Sequence, residues 1–586
     1  MKKISAFILF LFFVSLCFAQ TPVDIFDPFY EDLTVWENIG IINYVPAVRP
    51  YPLQEIERIL KIVMEVGDAG QRKVAEEHQK RIFGRAVHVG GKMSIGFKVP
   101  DKRRQLDMAP LLEVNYKLHE LLSISGQMSF YLTNKVPKEE VSPKYYYSKR
   151  DLAADDVGSK KFYILPMFNS GIGVGNSTYY FTAAIARTSY GPFHDNGIFV
   201  NKRAPHQGQF NFVINKEFFS FSQSFLTLTA MDNKDKEKTP RKFLSAHSLD
   251  IRPLHWLSFG IMDAVIYGQR FEPLYFIPFS AFFVSQGMYD FPDNSFIGAK
   301  FTIKPIPGLR IDGALYADDI GFNEIVKFKK DAKVRMAGEF GVSYTMPETH
   351  WFERIGLDYT FVTPYAYTHY SNSGIDKPNY DDYTHDGIPL GANLEPNSDR
   401  INLKLIFKPV HGLRIGLTNT FIRHGNVTES IEDLLFKLKY MTKPYATDGS
   451  ISNHATIDKA NDGDDDFNHR KHTFLYSTPF LKQKTIEYIN QLGLDVTCRL
   501  PIKRSGGYME FTFGYVFEAD INPGINKNIY YISSTSKPWI DKDIEDAGVG
   551  EANVKAEADK QLAQWRNNAK GKEFKHYIKL GVQFAY

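Results

Sequence analysis

From Arg85 to the C-terminus, apolar and polar residues alternate with a period of two. The last stretch is the cleanest. Phe574, Ile578, Leu580, Val582, Phe584 and Tyr586 share one face, and Lys575, Lys579, Gly581 and Gln583 share the other, with His576 alone out of place on the apolar side. Side chains of a strand point alternately to its two faces, so such a strand offers one face to lipid and one to a polar lumen. A soluble sandwich edge also alternates, but a long strand that ends the chain on an aromatic is similar to the assembly signal of bacterial outer-membrane barrels.

Paired strands recur with very short connections. Ile401, Leu403, Leu405 and Phe407 alternate with Asn402, Lys404 and Lys408, the chain turns at Pro409 to Gly412, and Leu413, Ile415 and Leu417 then alternate with Arg414, Gly416 and Thr418. Phe301 and Ile303, a turn at Pro305 to Gly308, and Leu309, Ile311 and Gly313 repeat the unit; the turns read KPIPGLRI and KPVHGLRI. A third relative runs Arg252 to Leu257. Pro and Gly at these places are hairpin signals. Between hairpins the connections are long and polar, at 134–158, 190–208, 367–399, 424–470 and 520–572. A strict alternation of short and long connections is expected of membrane barrels with short periplasmic turns and long outer loops, and a sandwich gives no reason for it. The pattern predicts an all-β chain, a transmembrane antiparallel barrel of about 18 strands, with roughly 16–18 by count.

Residues 20–84 follow another period. Leu53, Ile56, Ile59, Leu60 and Val63 recur at helical spacing after Pro50 and Pro52, Gly67 can end that helix, and Gln71 to Phe83 reads as a second, more polar one. They predict a small helical module on the periplasmic side; the alternative is a disordered lead-in. Residues 1–19 read as a signal peptide. Lys2 and Lys3 form the positive region, Ile8 to Val14 the apolar one, and Cys17-Phe18-Ala19 places small residues for cleavage after Ala19. The competing reading is a lipoprotein signal with Cys17 acylated, for which Leu16 is a poor fit. The barrel then occupies 85–586. Beyond the leader, no uninterrupted apolar run reaches the ~18 residues of a spanning helix.

Composition adds little further direction. Lys plus Arg is 70 against 67 for Asp plus Glu, a net charge of +3, which gives no case for a nucleic-acid partner. Aromatics are 15 %, with 47 Phe and 33 Tyr, as barrels with aromatic girdles favour. With Cys17 in the leader, Cys498 stands alone and no internal disulfide is expected.

No catalytic motif of the G-x-S-x-G, H-E-x-x-H or Walker type occurs, so no enzyme and no cofactor are expected. His194-Asp195, and His247 with Asp250, are chance pairings among 16 His. The run Asp458 to Asp466 offers oxygen ligands, and Asp462, Asp464 and Asp466 form a weak calcium candidate. The spacing does not fit an EF-hand, and a solvated acidic loop is the plainer reading. Aromatics crowd the long connections: Tyr145, Tyr146 and Tyr147; Tyr365, Tyr367, Tyr370, Tyr380 and Tyr383 beside Asp381 and Asp382; and Tyr530, Tyr531 and Trp539. Flat aromatic faces stack on sugar rings and carboxylates accept hydroxyl hydrogen bonds, which fits glycan binding; an interfacial girdle explains the same residues.

Segment 186–322 resembles the capsule-assembly outer-membrane barrel family of the Wzi type. The resemblance runs through Tyr190-Gly191-Pro192-Phe193, Ala204-Pro205-His206, Ser245 to Asp250, Ile266 to Arg270, Tyr275 to Pro278, Asp293-Asn294, Gly308-Leu309-Arg310 and Asp318-Asp319, with Asn38-Ile39-Gly40 and Arg49 to Leu53 ahead of it. It covers about a third of the chain; loops 424–470 and 520–572 match nothing, and Asp263 stands where the family often has Glu. The resemblance implies an eighteen-stranded barrel blocked by loops and N-terminal helices, and a lectin-like role in holding capsular polysaccharide. It marks Arg187, His194, His206, His247, Asp263, Tyr267, Arg270, Glu272, Tyr275, Asp293, Asn294, Asp318 and Asp319 as glycan-binding or lumen candidates, beside the outer-loop aromatics Tyr145, Tyr146, Tyr147, Tyr370, Tyr380 and Tyr383. The expected partners are outer-membrane lipid, the barrel-assembly machinery and extracellular polysaccharide.

Two expectations decide between a binding barrel and a porin-like channel. Lys300, Lys304, Arg310, Lys404, Lys408 and Arg414 all fall on polar faces, as a charged channel would have them. Segment 271–292, rich in Pro and aromatics, is too long for a periplasmic turn and unsuited to a strand. It is expected to fold into the barrel mouth, with Arg270 and Glu272 tied to charged wall residues.

Overall fold

The computed structural model describes residues 24–135, 141–145, 162–230, 241–291, 293–320, 334–364, 366–367, 380–426, 480–502, 506–525 and 563–586. Among them, eighteen antiparallel strands close into one barrel, from Val87–Val99 to Lys572–Ala585. The last strand pairs with the first, Phe584 opposite Gly91 and Ala585 opposite Gly90, so no edge is left open. At one end the connections are short, as at 120–121, 176–178, 216–218, 255–256, 307–308 and 411–412; at the other they are long, with the turn 100–102 as the exception. The repeated KPIPG and KPVHG turns need their glycines. Gly308 sits at φ +88° and Gly412 at φ +79°, a left-handed conformation that other residues adopt at a cost. Among the described residues no helix is long and apolar enough to cross a membrane. The strands do so instead, with an exposed apolar band that includes Val89, Met93, Ile261, Ile297 and Leu580. Trp351 marks its short-turn rim, stacking on Phe407 at 5.8 Å.

Ahead of the barrel stand three helices, α1 (Pro28–Asn38), α2 (Leu53–Val66) and α3 (Ala69–Phe83). The apolar period of α2 buries Leu53, Ile56, Ile59, Leu60 and Val63, which join Phe29, Leu33, Trp36 and Tyr51 in a core of their own. Asp68 and Gln71 form a reciprocal cap that starts α3. Helix α1, started by Pro28 and capped by Asp27, is one the helical pattern did not predict; its apolar positions are aromatic and few.

The module does not merely lie beside the barrel. It enters the short-turn mouth and bonds to the wall around most of its circumference. Glu57 takes Lys117 at 2.7 Å, Gln54 accepts from Ser123 at 2.7 Å, and Asn38 donates to Thr345 at 2.9 Å. Asp68 takes Thr349 at 2.9 Å, and Glu77 meets His411 at 2.7 Å.

Candidate functional site

Most of the polar-face cations that suggested a channel are paired, with plug carboxylates or with carboxylates of the wall and its connections; Lys304 reaches only the carbonyl of Glu37, at 3.5 Å. Lys408 reaches Asp32 at 2.7 Å and Glu353 at 2.6 Å. Arg414 and Arg354 share Glu31 at 3.0 and 3.1 Å, Arg310 takes Asp312 at 2.7 Å and Glu37 at 3.5 Å, and Lys300 takes Asp250 at 2.9 Å. Lys404 takes Asp195, from the infolded connection 187–206, at 3.2 Å. Burial alone would raise the Asp32 carboxyl, but Lys408 and His78 outweigh it and hold it far below the usual range. Lys404 and Arg414 likewise hold Glu31 low.

Above the plug the lumen is packed, with an apolar core set among its polar side chains. Wall residues Leu226, Leu244, Ile266 and Phe296 meet Tyr190, Phe199, Val200, Tyr383 and Leu390 from the connections that fold inward. Tyr383 is fully buried, stacks on Tyr367 at 5.4 Å, and donates to the carbonyl of Phe199 at 2.8 Å. Asn201 N–H donates to Leu390 O at 2.7 Å, tying one infolded connection to the other. The N-terminal segment joins in, Val48–Arg49 pairing with Ser189–Tyr190. Tyr383 is therefore a core residue and not an outer-loop platform. Tyr380 is also buried, lying so close to Gly268 that a Cβ there would sit 2.5 Å from its ring, and burial pushes its phenol up to about 12. Placing the two Tyr on a surface loop fails because that loop re-enters the barrel. Asp382, in the same segment, makes a wholly buried ion pair with Lys242 at 2.7 Å.

Several lumen candidates hold these infolded connections. Arg187 donates to the carbonyls of Arg203 and Ala204 at 3.1 and 2.7 Å. His194 meets Ser189 Oγ at 2.8 Å, and burial, with Arg49, Arg310 and Lys202 nearby, keeps it neutral. His206 bonds to Asn169, and Asn294 donates to the carbonyl of Asp381 at 3.0 Å. Tyr145 gives its carbonyl to Asn393 at 3.0 Å and packs on the lumen core. Asp318 is buried near the outer end of its strand. Tyr146, Tyr147, Tyr370, Asp462, Asp464, Asp466 and the side chain of Asp319 lie outside the described residues.

The remaining candidates assemble, but on the opposite side of the wall. Ala246, Ala264 and Ile266 belong to the lumen core, so the alternating His247, Asp263, Val265 and Tyr267 point outward. The cross-strand register sets Gln223, His247, Asp263 and Ile297 in one row, and Ile297 lies in the exposed apolar band. A polar row at mid-strand on a lipid face is costly. The connection after Gly268 covers it from outside. Asp263 accepts the N–H of Phe282, which opens helix α4 (Phe282–Tyr289), at 2.7 Å. Phe282 lies over His247 with ring centres 4.4 Å apart, Phe279 stacks on Phe221 at 4.0 Å, and Gln223 donates to the carbonyl of Tyr275 at 3.3 Å. Within the cover, Arg270 forks onto Asp293 at 2.5 and 3.0 Å and reaches Glu272 at 3.4 Å, while Tyr275 donates to Asp293 at 2.7 Å.

The expectation that this segment fills the barrel mouth is thus overturned. Arg270 and Glu272 pair within the cover, not with the wall. The physical reason is parity: Tyr267 points outward as the strand ends, and the chain leaves on that side. Phe271, Ile277, Phe283, Val284 and Met288 present a new apolar surface in place of the polar row, with Met288 71 % exposed. Among the described residues no cluster of His, Cys, Asp and Glu is arranged to hold a metal.

No protein-family model matches the chain, and no curated protein matches it in sequence. Solved structures that resemble it include outer-membrane barrels. One is Wzi of Escherichia coli, described as a carbohydrate-binding β-barrel involved in group 1 capsule assembly, at 11 % identity and TM-score 0.49 over 96 % of this chain and 98 % of that one. Two others are OccD3 (OpdP) of Pseudomonas aeruginosa, at 10 % identity and TM-score 0.39 over 86 % and 92 %, and OprD of the same organism, at 9 % and 0.39 over 85 % and 92 %.

Proposed function

We propose that this chain is an outer-membrane barrel, reached through a cleaved leader and assembled by the barrel-assembly machinery, that binds or organises an extracellular polysaccharide at the cell surface without catalysis. The observation that carries the reading is the filled lumen. The helical plug fills one end and pairs with Lys408, Arg414, Arg354 and Arg310 of the wall, and the tyrosine-rich core of the infolded connections occupies the middle. A diffusion channel needs a continuous wet path through that space. What such a barrel offers the outside is its long-loop end; with Tyr380 and Tyr383 buried, the sequence still supplies Tyr146, Tyr147 and Tyr370 in those connections, a residue type that stacks on sugar rings. The resemblance in segment 186–322 points the same way.

The test pairs two measurements on purified protein. Reconstituted in a planar bilayer, it should show no steady single-channel conductance. Immobilised on a glycan array, it should retain acidic surface polysaccharides. Stable conductance of porin size, with no glycan retained, would establish the channel instead.

A further inference from the structure

A cavity of about 360 Å³ lies at the short-turn end, between segment 43–47, the wall strands and residues 191–194 of the infolded connection. Tyr44 and Trp256 line it together with Arg252, Lys300, Lys304 and Arg310. Its charges do not balance pairwise. Glu37 is shared by Arg49 at 3.2 Å and Arg310 at 3.5 Å, and Lys300 uses Asp250 at 2.9 Å. Arg252 donates only to neutral oxygens, those of Lys216 and Val45 at 3.0 Å and of Ser220 at 2.9 Å, and stands over the Tyr44 ring at 5.8 Å. Lys304 reaches no more than the carbonyl of Glu37, at 3.5 Å. Among the described residues, neither cation has a carboxylate partner; Glu217, exposed at the rim, pairs with neither. Asp250 and Glu37 act on Arg252, and Glu37 and Asp312 on Lys304, only from beyond ion-pair distance, so an anion in contact with both cations gains what the wall leaves unmatched. The indole of Trp256 and the phenol of Tyr44 add flat faces of the kind that pack on sugar rings.

We infer that this cavity, on the periplasmic side, is a binding site for a small anionic saccharide, a sugar ring bearing a carboxylate or a phosphate, held by Lys304 and Arg252. It is separate from the outer surface invoked above and does not depend on that reading.

Titration calorimetry on the full-length protein in detergent, with glucuronate, glucose 6-phosphate, glucose and inorganic phosphate, tests it. One or both anionic sugars should bind, with glucose and inorganic phosphate at least tenfold weaker; which one binds tells carboxylate from phosphate. Lys304→Gln should weaken binding at least tenfold while the melting temperature holds, and Lys304→Arg should restore most of it. Arg252 supports backbone carbonyls, so its variant is a secondary test. The inference fails if neither anionic sugar binds, if glucose or inorganic phosphate binds as well as they do, or if Lys304→Gln binds unchanged.

Discussion

Lys408, on the barrel wall, and Asp32, on the first helix of the plug, meet at 2.7 Å, and His78 holds the other oxygen of the same carboxylate at 2.9 Å. One residue thus joins helix to helix and helix to wall. Asp32→Ala should loosen the plug without unfolding the barrel. A charge-assisted hydrogen bond of this kind contributes about 2 kcal/mol. Protease cleavage within 39–52 should rise severalfold in membranes, while the heat-modifiable barrel band stays unchanged.

The same carboxylates set a pH dependence. Asp32 is held low by Lys408 and His78 against its burial, Asp27 by Arg81 against its burial, and Glu31 first of all by Lys404. A carboxyl depressed in the folded state stabilises fully above its unfolded pKa, near 4, and loses that contribution as pH falls through the folded value. The contribution of these three carboxylates should therefore hold above about pH 5 and decline below about pH 4. Buried Glu55 runs the other way, raised by burial despite Arg58, so its protonation offsets part of the loss. Hydrogen exchange of residues 28–66 across this range checks the sign.

Lys242 and Asp382 are both wholly buried. Breaking the pair one-sidedly leaves an uncompensated charge inside the barrel. Asp382→Leu should cost about 3–5 kcal/mol, and Lys242→Met with Asp382→Leu should recover most of it. A double-mutant cycle in urea reads the difference.

Truncation of Phe584 to Tyr586 should block insertion. Those residues pair with both neighbours, Ala585 opposite Gly90 on one side and Tyr508 on the other, and Tyr586 exchanges two backbone hydrogen bonds with Val89 at 2.9 and 3.0 Å. Removing them opens both flanks at the closure point. Normal yield of membrane-embedded, heat-modifiable protein would show that closure does not need this end.

The barrel was legible because its signal is local. Period two, turn glycines and alternating connection lengths each require only neighbours in sequence. The capped helix α3 and the amphipathic α2 were legible for the same reason. What was not legible was sidedness. A loop residue carries no parity, so nothing in the sequence told that Tyr380 and Tyr383 turn inward while Tyr275 and Asp293 stay outside. Asp263 and His247 did carry a parity, since Ala246, Ala264 and Ile266 alternate with them. Taking the polar residues as the lumen face inverted it, because this stretch reverses the usual rule and keeps its apolar residues inside.

That reversal gives the most discriminating prediction. Gln223, His247 and Asp263 lie on the lipid side, and segment 269–293 is what keeps hydrocarbon from them. Deleting 271–292 should leave conductance unchanged, because the lumen core of Tyr190, Phe199 and Tyr383 does not include it. It should instead lower insertion, since ionisable side chains on the lipid face are costly at mid-depth. The cause can be isolated. Replacing Gln223, His247 and Asp263 together by Leu in the deletion background removes the polar row that needed a cover, and insertion should return towards the full-length level. In the intact protein the same triple change loses the bond from Phe282 N–H to Asp263 and should loosen the cover, seen as faster hydrogen exchange over 275–289. A deletion that raises conductance, or one whose poor insertion the Leu triple does not repair, would return this segment to the lumen.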